Sequence, residues 1–410
     1  MKFPIGTIVP TRKCDINYPN FDFAQSNNCI SNRHCFFLRI YIIILCIITI
    51  PIMKKKFRTV IRKLDEKRPN QNIIKNASDL IRRGEIIAFP TETVYGLGGN
   101  ALDPSSVSKI FEIKGRPPDN PLIIHVADMK MLKTLVIQIP PKAHRIIKKF
   151  WPGPITLILK KSNIVPEITT GGLNTVAVRI PRDKIALALI KKSGLPIAAP
   201  SANISGRPSP TSAIHVKDDL AGKIKLILDG GSTTIGIEST VIDMTQRIPV
   251  ILRPGGISKE SIEDEIGKIC FHDSLLSNGS KKTRIHRSPG MKYQHYSPKA
   301  KVMLVEGAEN HVKKRIIQLT EKLEGEGKKV TIMTTSKSLK VNPEKIQYMG
   351  RTLETVARNL FANLRQADKD NIDVIIVQGV QYKKTGFAIM NRLKKAASTR
   401  ISTQSKVIKR

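Results

Sequence analysis

Apolar residues recur three and four positions apart over residues 73–84, where IIKNASDLIRRG ends in a glycine suited to a helix C-cap, and this spacing predicts a helix. Residues 85–89 (EIIAF) follow as a short β-type run stopped by Pro90. The pattern then predicts helices over 105–113 and 142–150, the second broken by Trp151-Pro152-Gly153-Pro154, and a buried strand at 122–126 (LIIHV). Further strands are expected at 156–159, 176–180, 197–199, 224–228, 240–243 and 250–253. Strands and helices do not alternate strictly. The expected fold is therefore α/β, a mixed twisted sheet with flanking helices over residues 53–257.

Residues 258–300 read as a connector, with a short helix around 260–269 and then a polar stretch. From residue 301 the pattern becomes regular. KVMLVEG, KVTIMTT and DVIIVQGV are strands, helices are expected at 311–323 and 353–366, and a last helix at 387–397 precedes a basic tail. This alternation predicts a smaller parallel, Rossmann-like α/β domain over 301–410, with right-handed crossovers. Upstream, residues 36–52 (FFLRIYIIILCIITIPI) form an apolar run just short of the roughly 20 residues that cross a bilayer. A signal anchor is one reading of it. The preferred reading starts the protein at Met53, whose MKKKFRTVIRKLDEKRP leads directly into the first domain, and sets residues 1–52 aside as an apolar extension. On that reading the protein is cytoplasmic and has no stable membrane partner.

Charge changes the picture only in part. Lys and Arg total 69 against 33 for Asp and Glu, a formal net charge of +36, and such a surface attracts triphosphates, RNA and anionic membranes. General enrichment in Lys accounts for the excess equally well, because the cations are spread along the chain. Cysteines are more decisive. Four of the five (Cys14, Cys29, Cys35 and Cys46) precede residue 50, so Cys270 alone can build neither a disulfide framework nor a zinc cluster in the main body. GxxxxGK[ST], GxSxG and HExxH are all missing, which argues against a Walker NTPase and against hydrolases of those kinds. No metal site built from protein side chains is expected.

Candidate chemistry gathers at strand ends. Residues 88–103 (AFPTETVYGLGGNALD) place Thr91, Glu92 and Thr93 in a turn after a buried strand, where they can either cap that turn or face a ligand. In KGRPPDNPLIIHV, Lys114 and Arg116 occupy alternate positions; on an extended segment both would reach one phosphate chain. His125 lies among apolar neighbours, a setting more typical of a hydrogen-bonded core residue than of a ligand. Arg179 alternates with apolar residues in a strand, so its charge must be paired or aimed at a ligand. Ser201 and Asn203 open a hydroxyl- and amide-rich stretch, and Ser239 and Arg253 lie in GIESTVIDM and ILRPGG.

Taken in order, FPTETVYGLG, the KxR of Lys114 and Arg116, the SxN of Ser201 and Asn203, STVID and LRPG resemble the YrdC-type threonylcarbamoyl-AMP synthases. SPGMKYQHYSP (288–298) and GFAIMNRLKKAAS resemble their long, two-domain form, so the likeness runs from about Met53 to Ser398. One departure is Phe387, where a smaller residue is expected. The resemblance implies a YrdC-like fold with a concave basic pocket. The implied reaction joins L-threonine, bicarbonate or CO2 and ATP (with Mg2+) into threonylcarbamoyl-AMP and pyrophosphate, and a separate complex then transfers the product to tRNA beside the anticodon. It further implies that Thr93, His125, Arg179, Ala199 through its backbone, and Ser239 hold threonine. Lys114, Arg116, Asn120, Thr175, Ser201, Asn203, Ser209, Arg253 and Tyr296 would surround ATP, with Lys114, Arg116, Ser201 and Asn203 nearest the reaction. Lys292, Tyr293, His295 and Tyr296 would belong to a lid, a device that keeps water from a labile carbamate and mixed anhydride. Direct tRNA contact is compatible with the charge.

Two rival functions stand beside this one. A non-catalytic tRNA- or rRNA-binding module suits the charge, but an aromatic content of 5% leaves few stacking platforms. Carbamoylation for hydrogenase maturation would bring cysteine pairs and an acylphosphatase-like module, and neither is seen in the sequence.

Overall fold

A computed structural model describes residues 58–276, 296–336 and 339–403. The apolar extension 1–52 and the expected lid residues Lys292, Tyr293 and His295 lie outside the described residues. The chain begins with β1 (Val60–Lys63), α1 (Gln71–Arg82), β2 (Ile87–Phe89), β3 (Gly96–Asn100), α2 (Pro104–Lys114), β4 (Ile123–His125), α3 (Met129–Leu135), α4 (Pro141–Phe150) and β5 (Ile155–Lys160). Next come α5 (Glu167–Thr170), β6 (Thr175–Arg179), α6 (Lys184–Ser193), β7 (Ile197–Ala198), α7 (Ala213–Leu220) and β8 (Leu226–Asp229). Then β9 (Thr240–Asp243), β10 (Val250–Arg253), α8 (Lys259–Ile266), β11 (Cys270–Phe271) and α9 (Asp273–Leu276) complete the first part. Among the described residues these strands form one sheet in the order β1-β8-β2-β3-β7-β4-β6-β5-β9-β10-β11. Parallel pairs such as β4–β6 and β5–β9 mix with antiparallel pairs such as β2–β3 and β5–β6. The sheet is mixed, as the irregular strand–helix order predicts.

Local chemistry explains the helix ends. Asn70 accepts bonds from the amides of Asn72 and Ile73 to start α1, and Asp103 caps α2 before Pro104. Gly115 stops α2 in a left-handed conformation, with φ of 60°. Lys114 is thus the last residue of a helix, not part of an extended segment. The alternate-position geometry expected for Lys114 and Arg116 is corrected accordingly.

β3 is, with β1 and β11, a strand of this sheet that the sequence pattern does not show. Its residues are GLGGN, and glycine normally weakens a strand. Tertiary packing explains the choice: a Cβ at Gly98 would sit 2.5 Å from the Phe89 ring, and one at Gly99 would sit 2.5 Å from Ile86. The neighbours of β3 fill the space that side chains would need.

Strand alternation sorts side chains to two faces. Ala88, Leu97, Ile124, Val178 and Ile242 join a large core under α2, α4 and α8. The opposite phase carries Ile123, Ala177, Val241 and Leu252, a much smaller apolar group. His125 shares that phase with Ile123, and Arg179 shares it with Ala177. The polar site forms on this part of the face, beside the larger cluster of Ile87, Phe89, Ile197 and Leu228 that packs under α1 and α6.

The second sheet comprises β12 (Lys301–Glu306), β13 (Val330–Thr334), β14 (Ile346–Tyr348), β15 (Val374–Gln378) and β16 (Thr399–Ser402), with helices α10 (Glu309–Gly325), α11 (Leu353–Lys369) and α12 (Thr385–Ala396). Its order is β14-β13-β15-β12-β16 and every pairing is parallel. Residues expected to be a basic tail supply β16. Against the first sheet, α11 passes so close to Gly236 that a Cβ there would lie 2.4 Å from Arg358 Cα. Arg365 bonds the Pro208 carbonyl at 2.6 Å and pairs with Asp219 at 2.7 Å. Phe387, larger than expected, stacks on Phe271 at 4.3 Å between centroids.

Candidate active site

The turn after β2 divides the work between two threonines. Thr91 Oγ1 accepts the amides of Thr93 and Val94 at 3.1 and 3.3 Å, the local turn-capping role. Thr93 Oγ1 accepts a 2.9 Å bond from Arg179 Nη1 and lies on a cavity wall. Arg179 Nε also donates to the Gly153 carbonyl at 3.0 Å, and Nη2 stands 2.7 Å from Glu92 Oε1. That last approach is off the line of an N–H bond, so the contact is an ion pair and not a directed hydrogen bond. All three side chains are buried, yet the guanidinium is held by several elements at once.

His125 faces the same cavity, with its Nδ1 buried and unpartnered. Burial first, and then the Arg179 charge, push its pKa down to about 3, so the ring is neutral near pH 7. Ala199, whose amide donates to the Ile123 carbonyl at 2.9 Å, lies on the adjoining wall. Ser239 Oγ bonds Thr156 Oγ1 at 2.8 Å and accepts from Arg253 Nη2 at 3.1 Å. Arg253 reaches this face through a β-bulge. Ile251 pairs with Ile242 but Arg253 pairs with Val241, so Leu252 and Arg253 both oppose one residue and the side chain is re-aimed.

The remaining candidates separate into three groups. Arg116, Ser201, Asn203, Ser209 and Tyr296 line the cavity with the residues above. Arg116 Nε and Nη2 donate to the Asn120 and Pro121 carbonyls at 3.2 and 3.1 Å. Asn203 spends its amide group on Ile204 and Arg207 carbonyls and leaves Oδ1 without a partner. Asn120 and Thr175 are beside the wall and not on it; the register that pairs Ile123 with Ala177 sets Thr175 level with Pro121 at the cavity edge. Lys114 is beneath it. Its ammonium, 2% exposed as a residue, donates to the carbonyls of Ser201 and, at 2.6 Å, Asn203. Burial, and secondarily Arg116, hold its pKa well below the ordinary lysine value.

Among the described residues four arginines (Arg116, Arg179, Arg207 and Arg253) line the cavity, against a single carboxylate, Glu238. The cavity is partly open to solvent. Its chemistry favours a strongly anionic ligand. Among the described residues no group of three or more His, Cys, Asp or Glu is placed to hold a metal ion. Nor is any described helix long and apolar enough to cross a membrane.

A family model described as telomere recombination, for Sua5, YciO and YrdC proteins, matches residues 79–255. A second, described as threonylcarbamoyl-AMP synthase, C-terminal domain, matches residues 257–398. A threonylcarbamoyl-AMP synthase of Pyrococcus abyssi is 52% identical over 328 residues, covering 80% of this chain and 95% of that protein. The chain belongs to the threonylcarbamoyl-AMP synthase family. A threonylcarbamoyl-AMP synthase of Bacillus subtilis is 48% identical over 354 residues, 85% of this chain and 99% of its own. Among solved structures, Pyrococcus abyssi Sua5 complexed with L-threonine superposes with a TM-score of 0.80 at 51% identity, covering 84% of this chain and 99% of that one.

In this threonylcarbamoyl-AMP synthase relative, sequence reasoning passed over three charged residues: Arg207 on the wall, which pairs with Asp219 at 2.8 Å, and the pair Glu238 and Arg392. Glu238 lies in the quoted GIESTVIDM segment and accepts Ser209 Oγ at 2.7 Å. Arg392, in α12, donates to Glu238 Oε2 at 3.0 Å and to the Pro254 carbonyl. A signal was present: Arg392 falls on the same stripe as Ala388, Ile389, Leu393 and Ala396, where a charge needs a buried partner.

Proposed function

We propose that the protein is an L-threonylcarbamoyladenylate synthase, converting L-threonine, bicarbonate or CO2 and ATP into threonylcarbamoyl-AMP and pyrophosphate. The observation that carries this reading is the joint placement of Thr93, His125 and Arg179 in one buried corner of a cavity whose other wall presents Arg116 and Arg253. A relative of 51% identity solved with L-threonine supports the amino-acid side. Close relatives named for the synthase reaction support the rest, and favour it over a non-catalytic RNA-binding module.

Arg179 meets the threonine carboxylate, and its ties to Gly153 and Thr93 pre-set the direction of its free donors. Neutral His125 and Ser239 complete the amino-acid site, together with the Ala199 backbone. The threonine amine takes up CO2 as a carbamate. A carbamate oxygen attacks the α-phosphorus, the bond to the bridging oxygen breaks, and pyrophosphate leaves with that electron pair. No protein nucleophile is required. Arg116, Arg253, Ser201, Asn203 and Ser209 position the nucleotide and offset charge as it shifts to the leaving group. Tyr296 shares that wall, with Asn120 and Thr175 beside it. Magnesium would come with the triphosphate; the one carboxylate that the described residues place on the wall is already paired with Arg392, so the protein would leave the ion to the phosphate oxygens and water.

On this reading residues 53–257 form the catalytic domain, extended by α8 and β11, which join its core and sheet and are not part of the expected connector; the connector and lid, with Lys292, Tyr293 and His295, follow to residue 300, and 301–410 form the second domain. The product passes to a separate transferase acting on tRNA, and the enzyme works in the cytosol. Pyrophosphate release is the test. It should require threonine and bicarbonate together, and release independent of threonine would overturn the assignment.

A further inference from the structure

We infer that Arg392, supplied by the second domain, is a positioning residue for the ATP half of the cavity, acting through Glu238. This rests on the synthase reading above. Glu238 is 6% exposed and, among the described residues, is the single carboxylate on a wall that is to receive a polyanion. Burial alone would favour its neutral form, but the charges of Arg392 and then Arg253 outweigh burial and hold its pKa down to about 2. An ionised carboxylate there, without a counter-charge, would repel a triphosphate.

Arg392 cancels that charge from the other domain. Its guanidinium is fully buried, with Nε 3.0 Å from Glu238 Oε2 and Nη1 on the carbonyl of Pro254, the residue after Arg253. Through Glu238 it fixes Ser209, and its guanidinium carbon lies 5.9 Å from the centre of the Tyr296 ring, which stacks on Phe361 of α11. A single side chain thus touches the partners of three residues placed around ATP: Ser209, Arg253 and Tyr296. None of its contacts reaches Thr93, His125 or Arg179. Arg392 therefore acts directly on the nucleotide half and reaches the amino-acid corner only at one remove, through the bonds between Arg253 and Ser239.

The test compares Arg392→Met, Arg392→Lys and the charge-balanced pair Arg392→Met with Glu238→Gln in the full chain. Pyrophosphate release yields KM for ATP and for threonine separately, and threonine binding is also measured without ATP. Arg392→Met should raise KM for ATP at least ~10-fold, because a buried, unpaired Glu238 carboxylate then faces the phosphates. Threonine affinity should stay within about threefold. Arg392→Lys, which keeps charge without the fork, should fall between. The charge-balanced pair should recover most of the ATP KM and also guards against a single variant that does not fold. Equal losses for both substrates, a folded Arg392→Met with unchanged KM for ATP, or a folded pair no better than the single variant would each overturn the inference. Failure of the synthase reading is visible separately, as wild-type protein that releases no threonine-dependent pyrophosphate.

Discussion

Lys114→Met tests whether a buried cation serves the reaction by touching phosphate or by shaping a loop. The ammonium donates to the carbonyls of Ser201 and Asn203, on the segment that lines the cavity, and is not itself on the wall. Hydrogen bonds to charged groups contribute about 1.5–3 kcal/mol each, while a buried carbonyl left without a donor costs about 1–3 kcal/mol. Desolvating the ammonium offsets part of the gain. Loss of two such bonds should therefore destabilise the protein by roughly 2–5 kcal/mol, or about 2–6 °C in Tm at this size. Released from its tether, the Ser201–Asn203 segment should also raise KM for ATP by ~10-fold or more. Differential scanning calorimetry and pyrophosphate release at two ionic strengths provide the readouts. Positioning predicts a lower Tm together with an ATP defect that salt does not change. An undiminished Tm with an ATP defect that varies with salt would refute this reasoning, since the ammonium would then be acting on phosphate directly.

Two further outcomes follow from the threonine corner. Arg179→Met paired with Glu92→Gln removes a buried ion pair without leaving either charge alone, so the fold should persist; threonine binding by calorimetry should nonetheless weaken ~10-fold or more, and an unchanged affinity would remove Arg179 from the carboxylate site. His125 has a folded pKa of about 3 against an ordinary 6.5, so the unfolded chain binds the extra proton between those values and stability falls as pH drops through that window. The loss approaches on the order of 4 kcal/mol near pH 3. His125→Gln should flatten the acid limb of a denaturant-stability profile, and an unaltered limb would count against the buried neutral ring.

Much of the fold is legible in the sequence because its strands are apolar runs. LIIHV, TVAVR and the DVIIVQGV segment need burial whatever surrounds them, so β4, β6 and β15 lie near their expected places. Motif order likewise collected Thr93, Arg116, His125, Arg179, Ser201 and Arg253, which the structure brings to one cavity. β3 was hidden, since its glycines carry no apolar signal and are required only by the bulk of Phe89, Ile86 and Ile197. Thr175 and Asn120 keep the right end of the sheet but miss the wall.

The sequence by itself determined the apolar periodicities, the helix stops and the set of polar groups available for a ligand. These are local properties, decided by what each residue can bury and which backbone angles it accepts. Only the tertiary structure decided direction. Gly115 ends a helix and turns Lys114 under a loop, a bulge turns Arg253 onto the polar face, and the packing of a second domain brings Arg392 to Glu238 across 154 positions of chain. Charges so far apart in sequence leave no mutual trace in spacing. Their pairing is imposed by burial, which admits each of them only beside the other.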